Sequence, residues 1–476
     1  MATKSLLSGE LISDRVSTKT VLDKTGLHWN NKSGDTTIVW PDVIRAHCGK
    51  DWKKADNDAV SAECFTVHYI HHLPNKKWRH KQKIFHAPQN VESWVQHIEE
   101  KRTEGKAKRL LVVINPYGGQ RHGYQIYHKT VVPLFELASI STEVIVTDEG
   151  SHADRIASTY DFTKVDGLIV VGGDGMYHLM VNRMLIRKQV EGGVDQNDPE
   201  VAVLPLDTKI GIIPTGTGNG IHGLLCGVKD VETAALHIIK GQTTDLGSMG
   251  IFEKTNTSST LVSYTGLLFG YGFVADILVK TDERRWMRRM RYPVTLVASL
   301  FSKKRLFDAE IEYLTKQENK EDDEALNQEG AAASSWKKLE KATYMNFMIF
   351  VTGFTVDDDD KLSIDPSSGS TAVMLQTKSS ASDLIKMSIK ATRKDKELFN
   401  LPFLKLLDQI TAFRFQVIEK DDNDNSTARL EERDRERVLN VDGEVYRYSC
   451  KNKIEVRFIP KVIQLFATFP TDKSTT

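Results

Sequence analysis

Val171-Gly172-Gly173-Asp174-Gly175-Met176-Tyr177-His178-Leu179-Met180-Val181-Asn182 follows the apolar run Gly167-Leu168-Ile169-Val170 and leads into apolar residues at helical spacing. The order is a buried strand, a glycine turn and a helix. Glycines permit φ > 0 and let backbone N–H groups approach phosphate oxygens, and a helix start adds a dipole that favours negative charge. Asp174 is the ionisable side chain of the tight turn. On this stretch alone it reads equally as an N-cap in an ordinary strand-to-helix turn.

Two neighbouring units change that balance. Upstream, Leu110-Leu111-Val112-Val113-Ile114 runs into Asn115-Pro116-Tyr117-Gly118-Gly119, and downstream Ile210-Gly211-Ile212-Ile213-Pro214 runs into Thr215-Gly216-Thr217-Gly218-Asn219-Gly220. Repeated strand-to-glycine-loop units place their loops at one edge of a parallel sheet, where α/β folds bind ligands. Gly218-Asn219-Gly220-Ile221-His222-Gly223 matches the dinucleotide pattern G-x-G-x-x-G but falls in the third unit, not the first, and G-x-x-x-x-G-K-[ST] does not occur. Phosphates are therefore expected to be held without a Walker lysine.

The 476 residues suffice for two or three domains, and a formal charge of zero predicts neither nucleic-acid binding nor a strongly basic membrane patch. Cys48, Cys64, Cys226 and Cys450 have no metal-ligand spacing, which suits a reducing, cytoplasmic setting. The apolar runs at 294–301 and 345–356 are too short to span a bilayer, so any action at a membrane would be peripheral.

Residues 1–105 read as a separate unit. Alternating segments at 26–29, 37–40 and 64–70 predict a small antiparallel sheet, and Val91, Trp94, Val95 and Ile98 fall on one helix face. The combination resembles a pleckstrin-homology-like (PH-like) module. Its basic stretch, Lys76, Lys77, Arg79, His80, Lys81 and Lys83, reads as a solvated loop or as a contact for lipid head groups. A polar linker is expected at 101–108. Residues 316–341 and 420–437 are too polar to order themselves and are expected to be disordered insertions. Between and after them, 344–356, 370–376, 411–417 and two runs within 453–466 read as strands.

The blocks Asn115-Pro116-Tyr117-Gly118-Gly119, Val146-Thr147-Asp148-Glu149-Gly150-Ser151-His152-Ala153, the Gly172-Gly173-Asp174-Gly175 turn with its helix, Ile213-Pro214-Thr215-Gly216-Thr217-Gly218-Asn219, Gly272-Phe273-Val274-Ala275-Asp276 and Asn440-Val441-Asp442-Gly443-Glu444 resemble, in order and spacing, the diacylglycerol-kinase-like lipid kinases, and within them the sphingosine and ceramide kinases. That resemblance implies an α/β nucleotide-binding domain at 106–250 and a β-sandwich lipid-binding domain at 251–476. It implies ATP and Mg²⁺ as co-substrate and metal, and transfer of phosphate to a lipid primary hydroxyl at a membrane surface. By the resemblance, Asp174 is the general base, with His178 one helical turn on as its rival. Asn115, Pro116, Tyr117, Gly172, Gly173, Gly175, Gly216, Thr217 and Gly218 would cradle the phosphates, Thr147 and Ser151 would supply hydroxyls, and Arg285 and Arg291 would contact nucleotide. Asp442 would meet the nucleotide, and Asp442 and Glu444 the metal.

Motifs for the two lipid classes are mixed. Gly218-Asn219, the His178-x-x-Val181-Asn182 pattern, Ser151-His152-Ala153 and Ala412-Phe413-Arg414-Phe415 resemble sphingosine kinases, whereas the N-terminal module, 235–241, Arg285-Trp286 and the C-terminal strands resemble ceramide kinases. Sphingosine kinases carry acidic residues where this chain has Leu179 and Leu278. Asp276 is left as the expected partner of a substrate amine, so sphingosine is the expected acceptor. Ceramide, and a catalytically inactive lipid-binding scaffold, stay open as alternatives.

Overall fold

The computed structural model describes residues 6–13, 16–31, 34–50, 63–87, 90–102, 106–119, 121–148, 150–284, 287, 290–302, 304–316, 336–356, 362–365, 369–418 and 434–468. The N-terminal unit is a sheet of seven antiparallel strands: β1 (Leu7–Ser13), β2 (Val16–Leu22), β3 (Gly26–Asn31), β4 (Gly34–Val39), β5 (Val43–Cys48), β6 (Cys64–His72) and β7 (Trp78–His86). Their spatial order is β4-β3-β2-β1-β7-β6-β5. Period-two alternation puts Leu11, Leu22, Leu27, Trp29, Phe65, Val67 and Phe85 on one face. Helix α1 (Val91–Arg102) closes that face with Val91, Trp94 and Ile98, as its spacing predicts.

A parallel sheet follows: β8 (Arg109–Ile114), β9 (Ser141–Val146), β10 (Gly167–Gly172) and β11 (Lys209–Pro214), in the order β11-β10-β8-β9. The helices are α2 (Gly123–Ile126, extended by Tyr127–Val131 and Val132–Leu137), α3 (Gly150–Thr159), α4 (Asp174–Glu191), α5 (Gly220–Cys226) and α6 (Val231–Lys240). β8 and β10 are apolar on both faces because two cores cover them: Leu111, Val113, Leu168 and Val170 join one, Leu110, Val112, Ile169 and Val171 the other.

The rest of the chain adds β12 (Thr243–Lys254), β13 (Ser259–Thr265), β14 (Leu268–Gly272), α7 (Phe273–Glu283), α8 (Arg291–Phe301), β15 (Phe307–Thr315), β16 (Lys337–Lys338), β17 (Ala342–Phe350), β18 (Gly353–Val356), β19 (Leu362–Asp365), β20 (Thr371–Thr377), α9 (Ala381–Arg393), β21 (Leu404–Val417), β22 (Val438–Val441), β23 (Glu444–Arg447) and β24 (Lys453–Phe466). Where the sequence predicts a separate sandwich, hydrogen bonds run on from the parallel strands: β24 lies beside β11, then β21, β15, β17, β14, β22 and β23. The two runs expected at 453–466 are one strand. Its first part pairs antiparallel with β21, and near its end Leu465 pairs in parallel with Ile210 of β11. Lys461, at φ 54, lies between them.

Two expectations about connections change. The end of the 316–341 insertion returns to the sheet, since β16 pairs with β15 and the Arg414 guanidinium sits 3.9 Å from the Trp336 ring centre; 317–335 and 419–433 lie outside the described residues. The polar junction after α1 is also tied down. Lys106 donates its amine to the Val43 carbonyl, and burial lowers it to about 8.

The outer face of the first sheet rests on α6. Trp78 stacks on His237 with ring centroids 3.7 Å apart, and its backbone N–H donates to Thr233 Oγ1 at 3.0 Å. Arg79 pairs with Asp230 at 2.6 Å and Glu232 at 3.4 Å, and Lys240 pairs with Asp42 at 2.9 Å. Part of the basic stretch read as a solvated or head-group surface thus holds the first sheet to α6. Among the described residues no helix is long and apolar enough to cross a membrane.

Candidate active site

The C-terminal ends of β8, β10 and β11 bring the three glycine loops together. Asn115 N–H donates to Val171 O at 3.0 Å, and the N–H groups of Thr215 and Gly216 donate to Gly172 O at 3.0 and 3.1 Å. The backbones touch. A Cβ on Gly216 would stand 2.4 Å from Gly173 Cα, and one on Gly119, at φ 58, would stand 2.3 Å from Thr215 O. Any side chain at either position would force the loops apart, so the sequence supplies glycine.

Asp174 opens α4 in the middle of this cluster. Its Oδ2 accepts from Gly220 N–H at 2.9 Å and its Oδ1 from Ile221 N–H at 3.1 Å. These amides begin α5, the helix of the G-x-G-x-x-G match, so a carboxylate of the chain itself sits where a dinucleotide phosphate would. The carboxylate is half-buried, and a Cβ on Gly218 would come within 2.9 Å of it.

Other expected residues fall into place unevenly. Asn115 Oδ1 accepts from Tyr117 N–H and Gly118 N–H at 2.9 and 3.0 Å, so those amides are spent inside their own loop. Pro116 is half-buried there, and Tyr117 is 61% exposed. Thr147 and Ser151 follow β9 at the same edge. The Thr147 hydroxyl is buried and donates to Ile114 O at 3.2 Å, while Ser151 is exposed and accepts from Arg155 at 3.2 Å. Thr217 and Gly218 are the outward part of the third loop. Arg291 begins α8, and Arg285 lies outside the described residues.

Three expectations are corrected. Asp442 was expected at nucleotide or metal, yet its side chain is fully buried and accepts five hydrogen bonds. Oδ1 takes Thr265 Oγ1, Leu267 N–H at 3.0 Å and Leu268 N–H at 2.7 Å; Oδ2 takes Gly266 N–H at 2.8 Å and His178 Nδ1 at 2.9 Å. A carboxylate offers about four lone-pair positions, so none faces an outside ligand. Burial alone would raise this carboxyl, but the bonds to His178, Thr265 and Leu268 outweigh it and hold it below the ordinary range. His178 is thereby removed as a rival base: Asp442 takes one ring nitrogen and Tyr446 OH lies 3.2 Å from the other. Asp276, expected to meet a substrate amine, already faces the buried Arg305 at 3.2 Å. Arg305 also donates to Tyr271 OH at 3.1 Å.

Glu444 is placed differently from Asp442. Asp442 and Gly443, at φ 53 and 94, form a two-residue hairpin between β22 and β23, and Glu444 emerges beside the glycine turn, exposed. A Cβ on Gly175 would stand 3.2 Å from its Oε1. Mg²⁺ usually takes one or two protein carboxylates besides substrate phosphates and water, a pattern that Glu444 fits and the saturated Asp442 does not. Reading the sequence gave Asn219 no structural role and did not single out Arg305. Asn219 takes a left-handed conformation that Asn tolerates, which the Gly-Asn-Gly context signals.

Residues 109–250 match the diacylglycerol kinase catalytic domain. The chain is 35% identical to human ceramide kinase over 256 residues, 53% of this chain and 46% of that protein. It is 32% identical to sphingosine kinase 1 of Arabidopsis thaliana over 197 residues, 40% of this chain and 36% of that protein. The chain thus spans less than half the length of these curated relatives. A diacylglycerol kinase structure from Bacillus anthracis str. Sterne is 13% identical at a TM-score of 0.46, over 76% of this chain and 98% of that one. By sequence, residues 109–250 are similar to the diacylglycerol kinase catalytic domain, and the chain is similar to ceramide and sphingosine kinases over about half its length.

Proposed function

We propose that the protein is an ATP-dependent lipid kinase that phosphorylates the primary hydroxyl of a sphingolipid. The observation that carries this reading is Asp174, held by two amides where three glycine loops meet. In the proposed step Asp174 takes the proton of the lipid hydroxyl, the hydroxyl oxygen bonds to the γ-phosphorus, and the bond to the β,γ-bridging oxygen breaks to release ADP. Mg²⁺, when bound, would offset charge on the phosphates, and Glu444 would help to hold it. The glycine loops would border the phosphates at this edge of the sheet.

The acceptor is the finer question. Sphingosine was expected from the motifs at 151–153, 178–182, 218–219 and 412–415 and from Asp276 as partner of a substrate amine, and the Arg305 guanidinium beside Asp276 weakens the last of these. Ceramide, whose amide carries no charge, is the acceptor we favour, in keeping with the likeness to human ceramide kinase. We read the first sheet with α1 as a PH-like module and the antiparallel strands as the lipid-holding part of a peripheral membrane enzyme.

The test is transfer of ³²P from ATP and Mg²⁺ to ceramide, sphingosine and diacylglycerol in parallel micelles, with Asp174→Asn as blank. Label in ceramide supports the reading, label in sphingosine restores the amine acceptor, and no label in any of them favours a lipid-binding scaffold.

A further inference from the structure

Asn219 is 8% exposed and sits immediately before α5 at φ 50, ψ 44. Its Nδ2 donates to Pro214 O at 3.3 Å and to Gly216 O at 3.1 Å, so one amide ties the end of β11 to the tip of the third loop. The two residues after it are Gly220 and Ile221, whose N–H groups hold the two oxygens of Asp174. The third loop is also pressed against the second, where Gly216 meets Gly173. A change in where α5 begins would move both amides, and Asp174 would lose its fixed direction.

From this chain of contacts we infer that Asn219 is a positioning residue for Asp174: its left-handed backbone and its two amide hydrogen bonds set the start of α5, which aims the carboxylate. The inference rests on the reading of Asp174 as general base. It assigns Asn219 no contact with substrate. A reacting group displaced by about 1 Å costs on the order of 100-fold in rate, so turnover should register the change more than binding does.

The experiment compares full-length Asn219→Ala, Asn219→Gly and Asp174→Asn with the unaltered protein for kcat and KM on ceramide and sphingosine micelles, alongside ATP affinity by equilibrium titration and thermal melting. Asn219→Ala removes the amide and disfavours the left-handed backbone, whereas Asn219→Gly removes the amide alone. The expected result is a 30- to 100-fold loss of kcat for the alanine variant and a loss near tenfold for the glycine variant, with ATP affinity and lipid KM within threefold. If alanine prevents folding, as melting would reveal, the glycine variant carries the comparison. ATP affinity falling in step with kcat would make Asn219 part of the nucleotide grip and overturn the inference, as would unchanged kcat. Asp174→Asn separates the two levels: turnover retained there overturns the base reading and this inference with it. An inactive Asp174→Asn beside fully active Asn219 variants overturns this inference alone.

Discussion

His178 Nδ1 and Asp442 Oδ2 lie 2.9 Å apart across 264 residues of sequence, and both side chains are shut away from solvent. The contact fastens the first turns of α4, just behind Asp174, to the hairpin between β22 and β23. Replacing Asp442 by Ala would strand the N–H groups of Gly266, Leu267 and Leu268 together with His178. We expect a loss of about 3–5 kcal/mol, read as a lower melting temperature. The acid response has a definite sign: a carboxyl depressed in the folded state contributes stability above its unfolded value of about 3.9, and that contribution fades as pH falls through the folded value. An Asp442→Asn variant should therefore melt with a shallower acid limb, and parallel limbs would contradict the assignment.

Asp174→Asn keeps the shape of the side chain and removes its capacity to take a proton. Turnover should fall by about 10²- to 10⁴-fold while ATP still binds within a few-fold of the original affinity. Loss of ATP binding in proportion to turnover would place Asp174 in the nucleotide grip instead.

Trp78 joins the first sheet to α6 through His237, so Trp78→Ala should free the N-terminal unit. Truncating a buried Trp costs on the order of 3–5 kcal/mol. Limited proteolysis should cut the variant at the junction before β8 faster than the unaltered protein, with the unit's own core intact by circular dichroism. Equal cutting rates would mean that the Trp78 contact adds little to docking.

Acid should destabilise the fold through two buried histidines, His68 of the first sheet and His237 of α6. Burial, with neighbouring His80, His47 and Arg45, holds His68 down to about 3, and burial with His222, Lys240 and His72 does the same for His237 against a smaller opposing pull from Asp42. A histidine depressed in the folded state destabilises it progressively as pH drops from the unfolded value of about 6.5 toward the folded one. Melting temperature should fall between pH 6.5 and 4.5, and less steeply in His68→Gln. A curve flat over that window, or unchanged by the substitution, would refute the prediction.

Much of this architecture is legible in short runs of residues. The unbroken apolar runs before each glycine loop read as buried strands, and the Val91, Trp94, Ile98 stripe reads as the buried face of α1. The purposes of single polar residues are less legible. Asp442-Gly443 between two β-rich runs carries an ordinary hairpin signal, but nothing local tells that the aspartate collects the Thr265 hydroxyl, the amides of 266–268 and a histidine from α4. Asp276 gives no hint that Arg305, on a later segment, has claimed it. Both cases involve charge satisfied from far along the chain, which sequence spacing does not encode.

β24 has a bearing on the order of events during synthesis. When residue 450 leaves the ribosome all the glycine loops have been made, yet the open edge of β11, the Phe466 ring that packs against Gly167, and the Thr468 N–H that donates to His237 at 3.3 Å are still to come. The parallel sheet is therefore completed at its β11 edge only after β24 has been made. Until β24 emerges β11 keeps an open edge, and a nascent protein interrupted there displays an unpaired sheet edge that chaperones and proteases can read.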